Sequence, residues 1–220
     1  MSLGCWRAWA AAAKRLIGAT LPLSILTLIL WTVPAAAEQL QFDHSRVVTG
    51  EWWRIVTCHF THWSTGHLVW DLAAFVLLGR LCGWRSPKRL LTCLGTAAVA
   101  IPLVVGLCQP GMLYRGLSGL DSALFTLLAA WLLRQNTEDC EWRGIVLPAI
   151  TLLAFAGKIT YESLSGNAIF VSGADMVPVP LAHLAGAGVG LCFGLIGGNP
   201  PLRSEHRETA ATNQQSVLET

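Results

Sequence analysis

The stretches Tyr114-Arg115-Gly116-Leu117-Ser118-Gly119 and Leu181-Ala182-His183-Leu184-Ala185-Gly186 each stand at the head of a long apolar run. A serine and a histidine near the ends of two membrane-length helices are the minimum apparatus for nucleophilic catalysis inside a bilayer. Working outward from them, six apolar segments can be marked, each near the roughly 20 residues that cross about 30 Å of hydrocarbon. They run Leu16 to Ala37, His67 to Leu81, Leu90 to Leu107, Leu117 to Leu133, Ile145 to Ile159 and Leu181 to Ile196. Several are short, which suits a bundle enclosing watery or thinned regions. The expected fold is an all-α polytopic membrane protein of six transmembrane helices.

Composition agrees. Apolar residues make up 53% of the 220 and charged residues only 13%, too few to cover a soluble globule. A net charge of +2, scattered along the chain, offers no footprint for nucleic acid. Seven single cysteines include no Cys-x-x-Cys, and those in or beside apolar runs (Cys82, Cys93, Cys108, Cys192) read as small packing residues.

The connections carry the charge. Arg7, Lys14 and Arg15 precede the first span, Arg80, Arg85, Lys88 and Arg89 join the second to the third, Arg134 and Arg143 join the fourth to the fifth, and Arg203 and Arg207 follow the last. Only Arg46, Arg54, Arg115 and Lys158 fall on the other side, so the positive-inside tendency puts both termini in the cytoplasm. The expected division is a cytoplasmic segment over residues 1–15, a membrane domain over 16–198 and a polar, aperiodic tail over 199–220. Lys14-Arg15 followed by an apolar stretch and Ala35-Ala36-Ala37-Glu38 also fits a secretory signal, but its apolar part exceeds the usual 7 to 15 residues. Glu51 to Val56, with two tryptophans and an arginine, suits the headgroup region. The Gly/Ser/Pro-rich Thr160 to Pro180 reads as a long loop able to act as a lid.

With six spans and an inside start, the second, fourth and sixth helices all begin at the outer face. His67, Ser118 and His183 open these three, so topology alone brings them to similar depth. Gly116 and Gly119 leave backbone exposed around Ser118, and a helix start leaves N–H groups free for an oxyanion. Gly186, Gly190, Gly194 and Gly198 form a small-residue stripe behind His183, suited to close approach of the Ser118 helix or to dimerisation. His59, His62 and His67 match no zinc spacing, and Asp71 and Asp121 sit in separate spans without a sign that they face each other. No motif calls for a metal or a cofactor.

Trp53-Arg54-x-x-Thr57, His62, His67-x-x-x-Asp71, Gly116-x-Ser118-Gly119 and Ala182-His183-x-x-Gly186 together resemble the rhomboid intramembrane serine proteases, and the surroundings of Ser118 are most similar to the rhombosortase subgroup. The resemblance covers roughly Glu51 to Gly198. It implies a Ser118/His183 dyad without a third orienting acid, with His67 and the Ser118 N–H binding the oxyanion. Asp71 stands where many rhomboids carry an asparagine, so its carboxylate must be protonated, turn away, or hold His67 as a charged donor. Ser122 stands where many place a tyrosine against the histidine. The implied activity is cleavage of transmembrane or C-terminally anchored proteins near the outer face of the plasma membrane, removing a Gly-rich, transmembrane and basic sorting tail. The alternative is a silent relative that binds transmembrane segments without cutting them.

Overall fold

The computed structural model describes residues 20–138, 142–169 and 179–196, which are helical apart from their connections. In chain order the helices are α1 (Thr20–Trp31), α2 (Pro34–Leu40), α3 (His44–Val48), α4 (Arg54–Thr57), α5 (Thr65–Arg85), α6 (Pro87–Cys108), α7 (Ser118–Glu138), α8 (Trp142–Ser165) and α9 (Pro180–Leu195), with a 3-10 turn at Cys58–Phe60. An antiparallel bridge joins Phe42 to Tyr114.

Local chemistry sets the boundaries. Ser64 caps α5, accepting the His67 N–H at 3.2 Å. Ser86 ends α5 and caps α6 through the Arg89 N–H at 3.3 Å, with Pro87 in the first turn. Pro34 and Pro180 open α2 and α9 in the same way. At Pro34 the expected first span breaks: α1 and α2 are bent by 114° across Thr32 and Val33. Helices α5 to α8 run past the apolar runs that marked them, because helical hydrogen bonding continues through their polar ends. Thus α5 and α8 extend to Arg85 and Ser165 rather than Leu81 and Ile159. The expected loop from Thr160 is therefore helical as far as Ser165, and residues 170–178 lie outside the described residues, as do the expected N-terminal segment, the tail and Gly198.

Helix α7 is the axis, packed against α5, α6, α8 and α9. Leu120, Ala123, Leu124, Leu127, Ala130 and Trp131 are buried along it. The closest pairing is α7 with α9. A Cβ on Gly190 would collide with the Ala123 carbonyl and the Thr126 hydroxyl, and one on Gly194 would lie 2.5 Å from Ala130 Cβ. Thr126 Oγ1 donates to the Ala187 carbonyl at 3.0 Å, fastening the same seam.

The outer surface is apolar. Val69, Trp70, Leu77 and Trp84 on α5, Leu91 and Leu103 on α6, and Leu147, Ile150 and Leu153 on α8 are exposed, a girdle that only hydrocarbon covers without cost. Helices α5, α6 and α8 are long and apolar enough to cross a membrane, and the bent α1/α2 pair makes a fourth on the same measure. The expected six spans are fewer by this test for physical reasons. Helix α7 has the length, but Ser118, Asp121 and Ser122 at one end and Arg134, Gln135 and Asn136 at the other lower its apolarity. Enclosed by four helices, it has little need of an apolar surface. Helix α9, with 16 residues, is about 24 Å long, less than the hydrocarbon thickness.

The Trp53-Arg54-x-x-Thr57 segment has a fold-building task. Arg54 is fully buried, with Nη1 donating to the Glu38 and Gln41 carbonyls at 2.8 and 2.9 Å and Nε to Glu51 at 2.6 Å. Thr57 Oγ1 donates to the Leu40 carbonyl at 2.8 Å. Together they satisfy the unpaired carbonyls at the end of α2. Trp52 and Trp53 remain exposed. Cys58, Cys82 and Cys93 are buried, whereas Cys108 and Cys192 are exposed.

Candidate active site

The first turns of α5, α7 and α9 meet at one end of the bundle. Pro102, inside α6, supplies no N–H to the Ala98 carbonyl, which would otherwise be its helical partner. His59 Nε2 takes that carbonyl at 3.0 Å, so this nitrogen carries the proton. The ring is wholly buried and packs edge-on to Tyr114 at 5.6 Å. Burial pushes its pKa down to about 4, keeping the imidazole neutral. His59 therefore anchors the Cys58–Phe60 turn to α6, and the Cys58 carbonyl receives the Gly116 N–H at 3.1 Å.

Gly116 is held at φ +119°, a conformation that favours glycine. A Cβ there would lie 2.7 Å from His67 Cε1 and 3.0 Å from Asp71 Oδ2, so the loop backbone presses directly on both side chains. Tyr114 Oη donates to the Gly116 carbonyl at 2.9 Å and holds the turn into α7.

Asp71 is a hub. Its Oδ2 accepts the Leu117 N–H at 2.8 Å and the His62 Nε2–H at 3.2 Å, and lies 3.1 Å from His67 Nε2. The carboxylate faces His67 rather than turning from it, and it caps the start of α7, one residue before Ser118. A negative group suits a helix N-terminus, which gives the aspartate a physical reason to stand here. With Nε2 directed at Asp71, His67 has only Nδ1 for another partner, and that atom is buried without one. Burial also lowers the pKa of His62, opposed by Asp71.

Ser118 and His183 line one recess of about 350 Å³, together with His67, Asp71, Asp121 and Ser122. Its apolar walls include Trp63, Trp70, Leu78, Phe125 and Phe155, the last two ring to ring at 5.1 Å. Arg115 lies over the Trp63 ring at 4.1 Å and donates to Gln41 at 2.8 Å. Gly119 leaves room for Tyr114 Oη and the Ala182 carbonyl, at 2.9 and 3.2 Å from where its Cβ would be. Gly186 lies against the Gly119 carbonyl, so the two helices approach backbone to backbone just beneath Ser118 and His183. No hydrogen bond joins Ser118 Oγ to His183. Resting sites often hold such pairs loosely. As the first residue of α7, Ser118 also presents an N–H with no intrahelical acceptor.

Ser122 Oγ donates to the Ser118 carbonyl at 2.8 Å and is thereby directed along its own helix. Asp121 lines the recess with Oδ1 buried and unpartnered, whereas Asp71 is engaged by His62 and His67. Two residues of α8 also line the recess: Lys158, expected among the connecting charges, and Glu162, within the segment expected to be a loop. Glu162 on α8 is buried, with Oε2 2.7 Å from Lys158 Nζ and 3.3 Å from His183 Nδ1. Their signal in the sequence was an opposite-charge pair four residues apart at the end of an apolar run.

The fold and recess define a class: an all-helical, multi-pass membrane protein with a serine, histidines and carboxylates gathered where three helices begin. The Rhomboid domain family model matches residues 49–200, and the chain belongs to the rhomboid family. No curated protein matches it. The matched region starts just before α4 and leaves out α1, α2 and α3. Rhomboid proteins are in general intramembrane serine proteases, acting on membrane-embedded substrates in a bilayer.

Proposed function

We propose that the protein is an intramembrane serine endopeptidase in which Ser118 is the nucleophile and His183 the general base. Ser118 Oγ attacks a peptide carbonyl carbon. The imidazole takes the hydroxyl proton and returns it to the leaving amine, and water in the recess hydrolyses the acyl-enzyme. The Ser118 N–H at the α7 N-terminus and His67 bear on the oxyanion, with Asp71 orienting the His67 ring. Gly116 and Gly119 permit the close approach of loop and helix around them, and Gly186 and Gly190 bring α9 onto α7. The observation that carries this reading is the recess shared by Ser118 and His183, on two helices packed against each other through glycine.

In this reading the chain crosses the plasma membrane six times with both termini cytoplasmic, and the recess opens outward. The substrate class is that of the rhombosortase subgroup, a protein ending in a glycine-rich motif, a transmembrane helix and a basic cluster. Small residues there unwind easily and enter a narrow site. A second reading, a silent binder of transmembrane segments, draws on the missing hydrogen bond between Ser118 and His183. A fluorophosphonate probe on the membrane-embedded protein separates the two. Labelling of the wild type that disappears in both Ser118→Ala and His183→Ala supports the protease, and an unlabelled wild type supports the binder.

A further inference from the structure

Helix α8 is the most lightly packed of the long helices, and Pro148 and Glu162 are its only buried residues. An ionisable side chain buried on an otherwise exposed helix demands partners. Glu162 Oε1 accepts the Ile169 N–H at 3.2 Å. Oε2 is shared between Lys158 Nζ at 2.7 Å and His183 Nδ1 at 3.3 Å. The glutamate side chain is 2% exposed, His183 12% and Lys158 22%. His183 Nδ1 has no hydrogen-bond partner, and 3.3 Å is an ion-pair separation from which a small ring rotation would make a hydrogen bond. Ser122, which lines the same recess, is bonded to its own helix.

We propose that Glu162 is the positioning acid of His183, accepting Nδ1–H so that Nε2 is the nitrogen free to act as base, and that Lys158 moderates its charge. The inference rests on the hydrolase reading and adds a third member to the pair. A carboxylate on Nδ1 selects the tautomer and stabilises the imidazolium formed when the serine proton is taken. Lys158 offsets part of that stabilisation by sharing the same oxygen. The acid and the base come from α8 and α9, so the geometry of the pair depends on the docking of the lightly held α8.

The charges around His183 are few enough to separate. Helix α8 supplies Lys158 and Glu162, and α7 supplies Asp121. His67 and Asp71 of α5 and Arg115 before α7 border the same recess. Helix α6, also packed against α9, carries Lys88 and Arg89 in its first turn. Among the described residues only Glu162 lies within ion-pair distance of His183. Removing its charge leaves Lys158 beside the ring and disfavours the imidazolium, whereas removing Lys158 commits the carboxylate to His183 and favours it.

The test follows the ring titration of His183 by 15N NMR in the full-length protein in lipid nanodiscs, assigned by difference from His183→Gln, alongside kcat against pH. Glu162→Gln should move the His183 titration and the acid limb of kcat to lower pH, and lower kcat on the order of 10- to 100-fold with KM little changed. Lys158→Met should move both to higher pH. Should Glu162→Gln fail to fold, Lys158→Met still carries the sign. Titrations unmoved, or moved in one direction by both variants, overturn the proposal. An unlabelled wild type in the fluorophosphonate assay would sink the hydrolase reading instead, while the NMR titration still decides the Glu162–His183 contact.

Discussion

Gly186 on α9 and Gly119 on α7 lie backbone against backbone, with no room for a side chain at Gly186: a Cβ there would overlap the Gly119 carbonyl oxygen. His183 is three residues before Gly186 and Ser118 one before Gly119, so the separation of the two proposed catalytic residues is set by this contact. Gly186→Ala must push the helices apart, at a cost of about 1–3 kcal/mol in stability. A displacement near 1 Å should lower turnover on the order of 100-fold. Gly188, with open space around it, is the control. Gly188→Ala should keep activity and gain up to about 1 kcal/mol from helix propensity. Thermal unfolding and turnover of the two variants decide it, and equal behaviour would refute the role of the seam.

Gly116→Ala should act on His67. Strain at φ +119° costs about 1–3 kcal/mol, and the new methyl meets the imidazole and Asp71. The expected outcome is a lowered unfolding temperature together with slowed fluorophosphonate labelling. Wild-type labelling in this variant would remove His67 from the proposed oxyanion site.

Asp71 distinguishes charge from geometry. Asp71→Asn keeps an oxygen for the Leu117 N–H and should retain folding and turnover. Asp71→Leu leaves three buried donors unanswered, and should lose on the order of 3 kcal/mol or more. Chemical unfolding in detergent measures both, and a dead but folded Asp71→Asn would mean that the negative charge itself is needed.

His59 makes stability depend on pH. Its folded pKa of about 4 lies below the ordinary histidine value, so the unfolded chain binds the extra proton and the native state does not. Stability is full above about pH 6.5 and falls as the pH drops toward 4, by roughly 3 kcal/mol from this group. His59→Gln, which keeps a donor for the Ala98 carbonyl, should flatten that decline. An unchanged pH slope in the variant would assign acid sensitivity to another group.

Much of the site was legible because it is written locally. His67, Ser118 and His183 each open an apolar run, and a helix start is a property of neighbouring residues: Ser64 capping through the His67 N–H, Pro180 leading into His183. The glycine stripe on α9 likewise follows from helical period alone. Helix lengths were less legible, since hydrogen bonding does not stop where hydrophobicity does. The expected first span is bent at Pro34, a local signal set among apolar residues on both sides.

Caps, prolines and apolar periodicity, each acting within a few residues, mark in the chain itself where helices start and which side chains line them. What those side chains meet depends on how the helices pack. Asp71 caps a helix 46 positions away, His59 answers the carbonyl that Pro102 leaves free, and Glu162, in a segment expected to be a loop, is buried against His183. Each of these contacts joins separate helices, and burial between helices changes the meaning of a charge: exposed to water it is ordinary, and enclosed it must find a specific partner.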